Sequence, residues 1–312
     1  MIKKVFIKLA LFFFICLGIV TLVLIYAGNT VDFFYEKFTT PDARSMIIGD
    51  SRSMQGIQPR VFNTFFQDSD VELPMFNYSF TIAQAPIGPL YNKSIEKKLN
   101  LTTKNGLFVI SVTPWMFGSE KENNNKEGEF REKGQPPHNM QFVSVNPNYE
   151  YFIKNLNFFH FKGAFRKNTI LHKDGWLEEL NISKDRTVFD QWKKNQIMSL
   201  ERMQKKYKVS DVRLKNLDSL IKKLKHHGEV YVVRMPIDYD FVEVEERFYK
   251  GFNRDMDLIT KSNDIPYINF NTMNNHHNFK TYDGHHLDKT GGAYFSKVLC
   301  DSIQMYRSKG RN

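Results

Sequence analysis

The chain opens with an uninterrupted apolar stretch. Residues 9–27 read LALFFFICLGIVTLVLIYA and contain no charged side chain. A helix of this length is about 28 Å long, close to the thickness of the hydrocarbon core of a bilayer. The pattern therefore predicts a transmembrane helix over residues 9–27, with a cleaved signal peptide as the alternative. Ile25-Tyr26-Ala27 is a poor cleavage site, which favours an uncleaved anchor.

Basic residues lie on the N-terminal side of this stretch. Lys3, Lys4 and Lys8 precede it, and the positive-inside bias places such a flank in the cytoplasm. We therefore expect a single-pass membrane protein whose residues 1–8 are cytoplasmic. After the membrane helix we expect a juxtamembrane linker over residues 28–42 and one extracytoplasmic domain over residues 43–312, in the periplasm or at the cell surface.

Beyond the linker, short apolar runs alternate with amphipathic stretches. Nearly continuous apolar runs predict buried strands, over residues 45–48, 71–76, 106–112, 230–235 and 266–270. Apolar side chains at spacings of three and four predict helices, over residues 58–66, 86–98, 211–226, 240–262 and 288–307. Strands that alternate with helices are typical of an α/β fold with a mainly parallel sheet, in which Ile47, Val109 and Val232 would lie on neighbouring strands.

Residues 113–208 differ in composition from the alternating strands and helices on either side of them. Residues 119–136 are rich in Glu, Lys, Asn and Gly, and residues 149–165 are crowded with aromatic side chains. Because a connection of this length is rarely structureless in a compact domain, we predict a helical insertion or lid. Core packing is the commoner role for such aromatic residues, and a sugar-binding platform or a membrane-facing surface is the alternative.

Composition narrows the classes of function. The 312 residues carry a formal net charge of +10, with 41% hydrophobic and 25% charged residues, which excludes a wholly disordered chain. The two cysteines, Cys16 and Cys300, exclude a disulfide framework and a cysteine zinc site. The positive charge fits a lysine-rich solvated surface, with attraction to an anionic membrane surface or an acidic polysaccharide as the alternative. No nucleic-acid-binding motif is visible, so nucleic acid is not an expected partner.

Two short motifs supply candidate catalytic residues. Gly49-Asp50-Ser51 follows the first predicted strand, and ligands bind beyond the carboxyl ends of strands in sheets of this kind. Asp283 and His286 precede the last predicted helix, at a spacing that lets the carboxylate orient the imidazole ring. The other ring nitrogen can then take a proton from the Ser51 hydroxyl, as in a serine–histidine–aspartate triad.

Other charged residues and histidines leave alternatives open. Arg52 follows the candidate nucleophile and Arg234 ends a predicted strand, so each fits either recognition of an anionic substrate group or a structural ion pair. The histidine pairs 276/277 and 285/286 lack the spacing of a known zinc motif, so we expect no metal and no cofactor. The three-residue spacing from Asp283 selects His286, and we expect His285 to face solvent or the rim of the pocket.

The two motifs together resemble the SGNH (GDSL) hydrolase superfamily. Gly49-Asp50-Ser51 resembles its first block, and YDGHHLDKTGGAYFS resembles its last. The stretch IIGDSRSMQGIQP is similar to membrane-anchored members associated with acyl decoration of cell-surface polymers, including teichoic-acid D-alanine transfer and alginate O-acetylation proteins. This resemblance implies a three-layer α/β/α sandwich, with Ser51 as nucleophile, His286 as general base and Asp283 as its orienting partner.

The oxyanion hole departs from the pattern of that family. The resemblance implies donation by the Ser51 backbone N–H, by a glycine N–H in a second block and by an asparagine side chain in a third. The corresponding segment FNYSFTIAQAPIG has no glycine before Gly88, so Thr81 or a neighbour would have to serve. Thr113 stands near the expected asparagine and is the other candidate donor. One such donor typically contributes about 3 kcal/mol to catalysis.

These features and the resemblance predict a membrane-anchored extracytoplasmic serine esterase or O-acyltransferase. Its expected substrate is an acyl ester, acetyl by preference, of a cell-surface glycan or a small molecule. The expected partners are the membrane itself and a multi-pass membrane acyltransferase. The alternative is a catalytically silent binding or scaffolding partner of such an acyltransferase, which the altered oxyanion segments favour and the intact Ser51, Asp283 and His286 disfavour.

Overall fold

The computed structural model of the chain describes residues 2–27, 33–155, 168–272 and 278–310. Its strands within these ranges are β1 (Ser45–Ile48), β2 (Met75–Asn77), β3 (Gly106–Ser111), β4 (Gly118–Glu120), β5 (Thr169–Leu171), β6 (Leu177–Glu179), β7 (Tyr207–Val209), β8 (Gly228–Arg234) and β9 (Tyr267–Asn269). Its α-helices within them are α1 (Ile2–Ala27), α2 (Ser51–Gly56), α3 (Pro59–Phe65), α4 (Pro89–Lys98), α5 (Tyr149–Asn155), α6 (Arg186–Lys206), α7 (Asp211–Lys225), α8 (Tyr239–Phe248), α9 (Phe252–Ser262) and α10 (Lys289–Gly310).

Five strands form one parallel sheet in the order β2-β1-β3-β8-β9. Ile47 pairs with Val109 across β1 and β3, and Ile110 pairs with Val232 across β3 and β8. The predicted α/β fold with a mainly parallel sheet is confirmed, and so is the placement of Ile47, Val109 and Val232 on neighbouring strands. Because these strands all run the same way, the loops after β1, β3 and β8 meet at one edge of the sheet.

Alternate side chains of the strands enter two separate hydrophobic cores. Met46 and Ile48 of β1 lie in a core that includes side chains of α4 and α7. Ile47, between them, lies in a second core that includes side chains of α3 and α10. Because both sets of strand side chains are buried in these cores, the central strands are apolar almost throughout, which is the pattern that made them recognisable in the sequence.

Glycine and proline change two of the predicted elements. The single helix predicted over residues 240–262 is two helices, α8 and α9, with Gly251 capping the second one. Glycine disfavours a continuous helix at that point because it loses more backbone freedom than other residues. The strand predicted over residues 71–76 begins only at Met75, since Pro74 has no N–H to give to the ladder.

The insertion over residues 113–208 contains helices, as predicted, and also short strands that the sequence did not predict. Its base is closed by antiparallel pairing of β4 with β7, and β5 and β6 form a hairpin. The hairpin turn requires Gly175, whose φ of +83° favours glycine and whose Cβ would lie 2.1 Å from the Asn77 carbonyl oxygen. Tyr151 is buried against Tyr35 and Phe38, as core packing predicted. The aromatic residues over 156–165 lie outside the described residues.

The N-terminal helix α1 is long and apolar enough to cross a membrane, with a candidate span over Ile2–Ile25 and a mean hydropathy of 2.7. It begins well before residue 9 because lysine is compatible with a helix. The described part of the predicted linker over residues 28–42 is packed against the domain. It includes a 3₁₀ turn, Tyr35–Phe38, whose Tyr35 and Phe38 side chains are buried in the core.

Candidate active site

Ser51 lies where the first strand meets the first helix of the domain. β1 ends at Ile48 and α2 begins at Ser51, so the serine stands at the carboxyl edge of the sheet. Asp50 caps α2, since its side chain accepts a hydrogen bond of 3.0 Å from the Arg52 backbone N–H. The Ser51 N–H is in the first turn of that helix, where backbone donors have no intrahelical acceptor.

Ser51, His286 and Asp283 form one continuous chain of hydrogen bonds. The Ser51 Oγ lies 2.9 Å from His286 Nε2, and His286 Nδ1 lies 2.8 Å from Asp283 Oδ2. The other oxygen of Asp283 accepts from the backbone N–H groups of His286 at 2.9 Å and of His285 at 3.2 Å. The expectation that His286 and not its neighbour faces Ser51 is confirmed.

Electrostatics set the direction of these hydrogen bonds. Burial disfavours ionisation of Asp283, but the nearby His286 and the hydrogen bonds it donates hold the pKa of that carboxyl well below its usual range. An ionised carboxylate only accepts hydrogen bonds, so His286 carries its proton on Nδ1. Nε2 is then the acceptor for the Ser51 hydroxyl, which is the orientation that a general base needs.

A tight turn brings Asp283 back to His286. Gly284 between them has a φ of +96°, and a Cβ there would lie 2.1 Å from the Phe241 ring. Only glycine fits this turn without strain or clash. The glycine therefore serves the geometry of the pair as well as the packing of α8.

His285 is buried, so of its two predicted positions the one facing solvent is wrong and the one at the rim of the pocket remains. Its side chain is 7% exposed and packs edge-on against Phe241 at 4.8 Å and against the His286 ring at 4.1 Å. It still borders the cavity beside Ser51. Burial, together with repulsion from His286 and Arg52, outweighs attraction to Asp283 and holds the pKa of His285 well below its usual range.

The neutral state of His285 makes stability depend on pH. Its pKa is lower in the folded chain than the ordinary 6.5, so below that pH the unfolded chain binds a proton that the folded chain does not. We expect the free energy of unfolding to fall on acidification below about pH 6.5, by up to about 1.4 kcal/mol per pH unit from this group. Denaturant titrations of the wild type and of His285→Asn between pH 7.5 and 5 measure it. Equal pH slopes in the two proteins would contradict the assignment.

The two arginine candidates share one buried carboxylate. Arg52 Nη2 lies 2.7 Å from Glu245 Oε1, and Arg234 Nη2 donates to Glu245 Oε2 at 2.7 Å. All three side chains are at most 4% exposed. Of the two roles predicted for Arg234, these contacts support the structural ion pair. Arg234 also donates a hydrogen bond to Asn253 at 2.9 Å. Arg52 takes part in the same pair and borders the cavity beside Ser51.

The two threonine candidates differ in their surroundings. The Thr113 hydroxyl donates to Asp50 Oδ2 at 2.9 Å and is buried. A hydroxyl has one proton, so Thr113 does not offer it to an oxyanion, contrary to the sequence expectation. Thr113 instead steadies the turn that carries Ser51. Thr81 borders the cavity, and its hydroxyl donates to Gln84, so it would have to act through its backbone N–H.

A cavity of about 310 Å³ opens at Ser51 and His286. This volume is in the range of small-molecule sites. The insertion supplies much of its wall, through the β5–β6 hairpin and the inner face of α6, with the side chains Thr169, Leu177, Glu179, Gln196, Ser199, Leu200 and Met203. The insertion therefore shapes the site, although its sequence did not reveal which of its residues line the cavity.

Asp283, His285 and His286 also form a group whose ligand atoms lie within 4.8 Å of one another, close enough for a metal ion. Both ring nitrogens of His286 are engaged, one with Asp283 and one with Ser51. A metal at this point would have to replace those hydrogen bonds, so the donor set fits a triad better than a metal site. The pair 276/277 lies outside the described residues.

Sequence reasoning missed three residues that organise the site. Glu245 joins the two arginines, and Tyr282 stacks on the His286 ring while its hydroxyl donates to Gln55 Oε1 at 2.6 Å. A lone glutamate in an amphipathic helix carries no signal of burial, whereas Tyr282 stands next to Asp283 in the second motif.

No protein-family model and no curated protein matches the chain. Ser51, His286 and Asp283 therefore carry the functional proposal by their geometry.

Proposed function

We propose that the chain is a serine ester hydrolase or O-acyltransferase. The observation that carries this proposal is the chain of hydrogen bonds from Ser51 Oγ through His286 to Asp283, at 2.9 and 2.8 Å. The three groups are of the types, and in the order, that activate a serine hydroxyl as a nucleophile. The adjoining cavity gives an acyl group room to reach that hydroxyl.

The reaction has two halves. Ser51 Oγ attacks the acyl carbonyl carbon while its proton passes to His286 Nε2, and the Asp283 carboxylate stabilises the imidazolium. His286 then returns the proton to the departing alkoxide, which leaves an acyl ester on Ser51. In the second half His286 takes a proton from water or a sugar hydroxyl, whose oxygen attacks that ester. His286 then gives this proton to Ser51 Oγ as the bond between Ser51 and the acyl group breaks, which restores the free serine and the neutral imidazole. The backbone N–H groups of Ser51 and Thr81 are the proposed donors to the oxyanion.

The proposed setting is the outer side of a membrane. The apolar helix α1 supports a single-pass anchor, and Lys3, Lys4 and Lys8 before it support a cytoplasmic N-terminus. The resemblance to membrane-anchored SGNH proteins supports a three-layer α/β/α domain acting on acyl esters of a cell-surface glycan. The two cores on opposite faces of the sheet are consistent with that layering.

Labelling by a fluorophosphonate tests the nucleophile and the orientation together. A membrane-impermeant fluorophosphonate is expected to label Ser51 in right-side-out membrane vesicles, and to label it in inverted vesicles only after detergent is added. Ser51→Ala is expected to abolish the label, whereas Ser53→Ala, two residues on in the same helix, is expected to keep it. Absence of label in detergent-opened vesicles would contradict an activated serine. Labelling of closed inverted vesicles alone would contradict the orientation.

The alternative of a catalytically silent partner for a membrane acyltransferase draws on one observation. The Thr113 hydroxyl is committed to Asp50, so the third oxyanion donor implied by the family resemblance is not replaced by this side chain. In a silent partner the cavity would bind an acylated glycan without turnover. Binding of an acetylated sugar by a chain that fluorophosphonate does not label is the result that favours this alternative.

A further inference from the structure

We propose that an apolar patch beside α5 inserts into the interface of the same bilayer that α1 crosses. The α5 patch consists of four exposed apolar side chains: Phe142, Val145, Tyr149 and Ile153. The proposal rests on α1 as the membrane span and is independent of the ester chemistry of Ser51. The partner it assigns to this surface is a lipid bilayer.

Contacts of α5 bring three of the four side chains together, and Val145 lies between them along the chain. Tyr149 and Ile153 are four residues apart in α5 and so share a face of the helix. Phe142 is held against the same helix, because its backbone N–H donates to Glu150 Oε2 at 2.7 Å. Ile153 is 79% exposed and Phe142 56%, which is unfavourable for apolar side chains that only meet water.

Tyr149 contacts the membrane helix itself. Thr21 Oγ1 donates its proton to the Leu17 carbonyl oxygen at 2.7 Å, so in the contact between Thr21 and Tyr149 the tyrosine hydroxyl is the donor. Thr21 precedes Ile25, the end of the candidate span, by about 6 Å along the helix axis. With α1 in a bilayer, the Tyr149 ring therefore lies near the headgroup boundary, where tyrosine is enriched.

Packing fixes the membrane helix on this side of the domain. Leu24 of α1 is 3% exposed and belongs to the same core as Tyr151 of α5, with Val20 packed against it. The last turns of α1 are thus attached to the domain beside α5. A domain held in this way brings the exposed side chains of α5 next to the lipid that surrounds α1.

Basic side chains border the α5 patch. Lys97 Nζ donates to the Met140 carbonyl oxygen at 2.9 Å. Lys154 Nζ donates to the Asn139 carbonyl oxygen at 2.8 Å and to Glu150 Oε1 at 2.6 Å, so its charge is partly balanced. Both ammonium groups therefore lie along the segment that leads into Phe142. Ammonium groups beside apolar side chains are typical of surfaces that lie in a membrane interface.

A depth measurement on the full-length protein tests the proposal. Ile153→Cys, on a Cys16→Ser background, is labelled with an environment-sensitive fluorophore and reconstituted in phosphatidylcholine–phosphatidylglycerol vesicles. Cys300 is buried and stays unlabelled. The matched control is Met305→Cys. Met305 is 47% exposed and lies on α10, the helix that packs into the second hydrophobic core, whereas Tyr151 of α5 packs into the first. Because interfacial apolar side chains lie roughly 5–10 Å into the boundary region, the label at 153 is expected to emit at shorter wavelength and to be quenched by brominated lipid, unlike the label at 305.

Two outcomes would overturn the proposal. In the first, the label at 153 is as exposed to water as the label at 305. In the second, it shifts to shorter wavelength without quenching by lipid, which would mean that protein, such as a second copy of the chain, covers the patch. Val145→Cys repeats the measurement at a second position if Ile153→Cys does not fold. Catalysis is not part of the readout, so a negative result leaves the ester chemistry untouched.

Discussion

Replacing His286 with alanine is expected to lower turnover of a simple acetyl ester by roughly 10³- to 10⁶-fold, as the loss of a triad base does in other serine enzymes. The physical reason is the 2.9 Å contact between His286 Nε2 and Ser51 Oγ. Without it, the serine proton has no acceptor at the moment of attack. The measurement is steady-state hydrolysis of an aryl acetate by the purified protein in detergent.

The adjacent histidine supplies the control for that loss. His285→Asn is expected to retain most of the turnover, because the His285 ring contacts Phe241 and His286, whereas the ring nitrogen that contacts Ser51 belongs to His286. A thermal melt of each variant separates loss of chemistry from loss of folding. Equal losses in folded His285→Asn and His286→Ala would refute the assignment of the base, and measurable turnover by Ser51→Ala would refute the nucleophile.

The largest loss of stability is expected at Glu245. Glu245→Gln removes the carboxylate that the buried Arg52 and Arg234 share, since their guanidinium groups lie 2.7 Å from its two oxygens. Breaking a buried ion pair on one side costs about 3–5 kcal/mol. The free energy of unfolding, from denaturant titration at neutral pH, measures the loss.

Two further variants test the cause of that loss. Glu246→Gln changes the exposed neighbour in the same helix and is expected to be nearly neutral, within about 0.5 kcal/mol. Adding Arg234→Met to Glu245→Gln removes a buried charge that has lost its carboxylate partner and is expected to recover part of the stability. If Glu245→Gln is no more destabilising than Glu246→Gln, the buried pair does not hold these elements together.

Much of the fold was predictable, since each strand and helix leaves a local pattern. The apolar run 106–112 became β3, and the periodic stretch 211–226 became α7 (Asp211–Lys225). The insertion was less predictable, because its short strands β4 and β7 are stabilised by each other across the chain and carry little pattern of their own. The residues of the insertion that line the cavity, including Glu179 and Gln196, were not predictable either, because they come together only through tertiary packing.

The sequence by itself determined the order of strands and helices, the apolar span of α1 and the two motifs that hold Ser51, Asp283 and His286. These are local properties, set by side-chain periodicity and by turn residues such as Gly284. Only the tertiary structure decided that Ser51 and His286, 235 positions apart, meet at 2.9 Å. It also decided that the Thr113 hydroxyl donates to Asp50 and that the Arg234 guanidinium donates to Glu245. Such contacts depend on how every intervening element packs, and no short stretch of the chain encodes that packing.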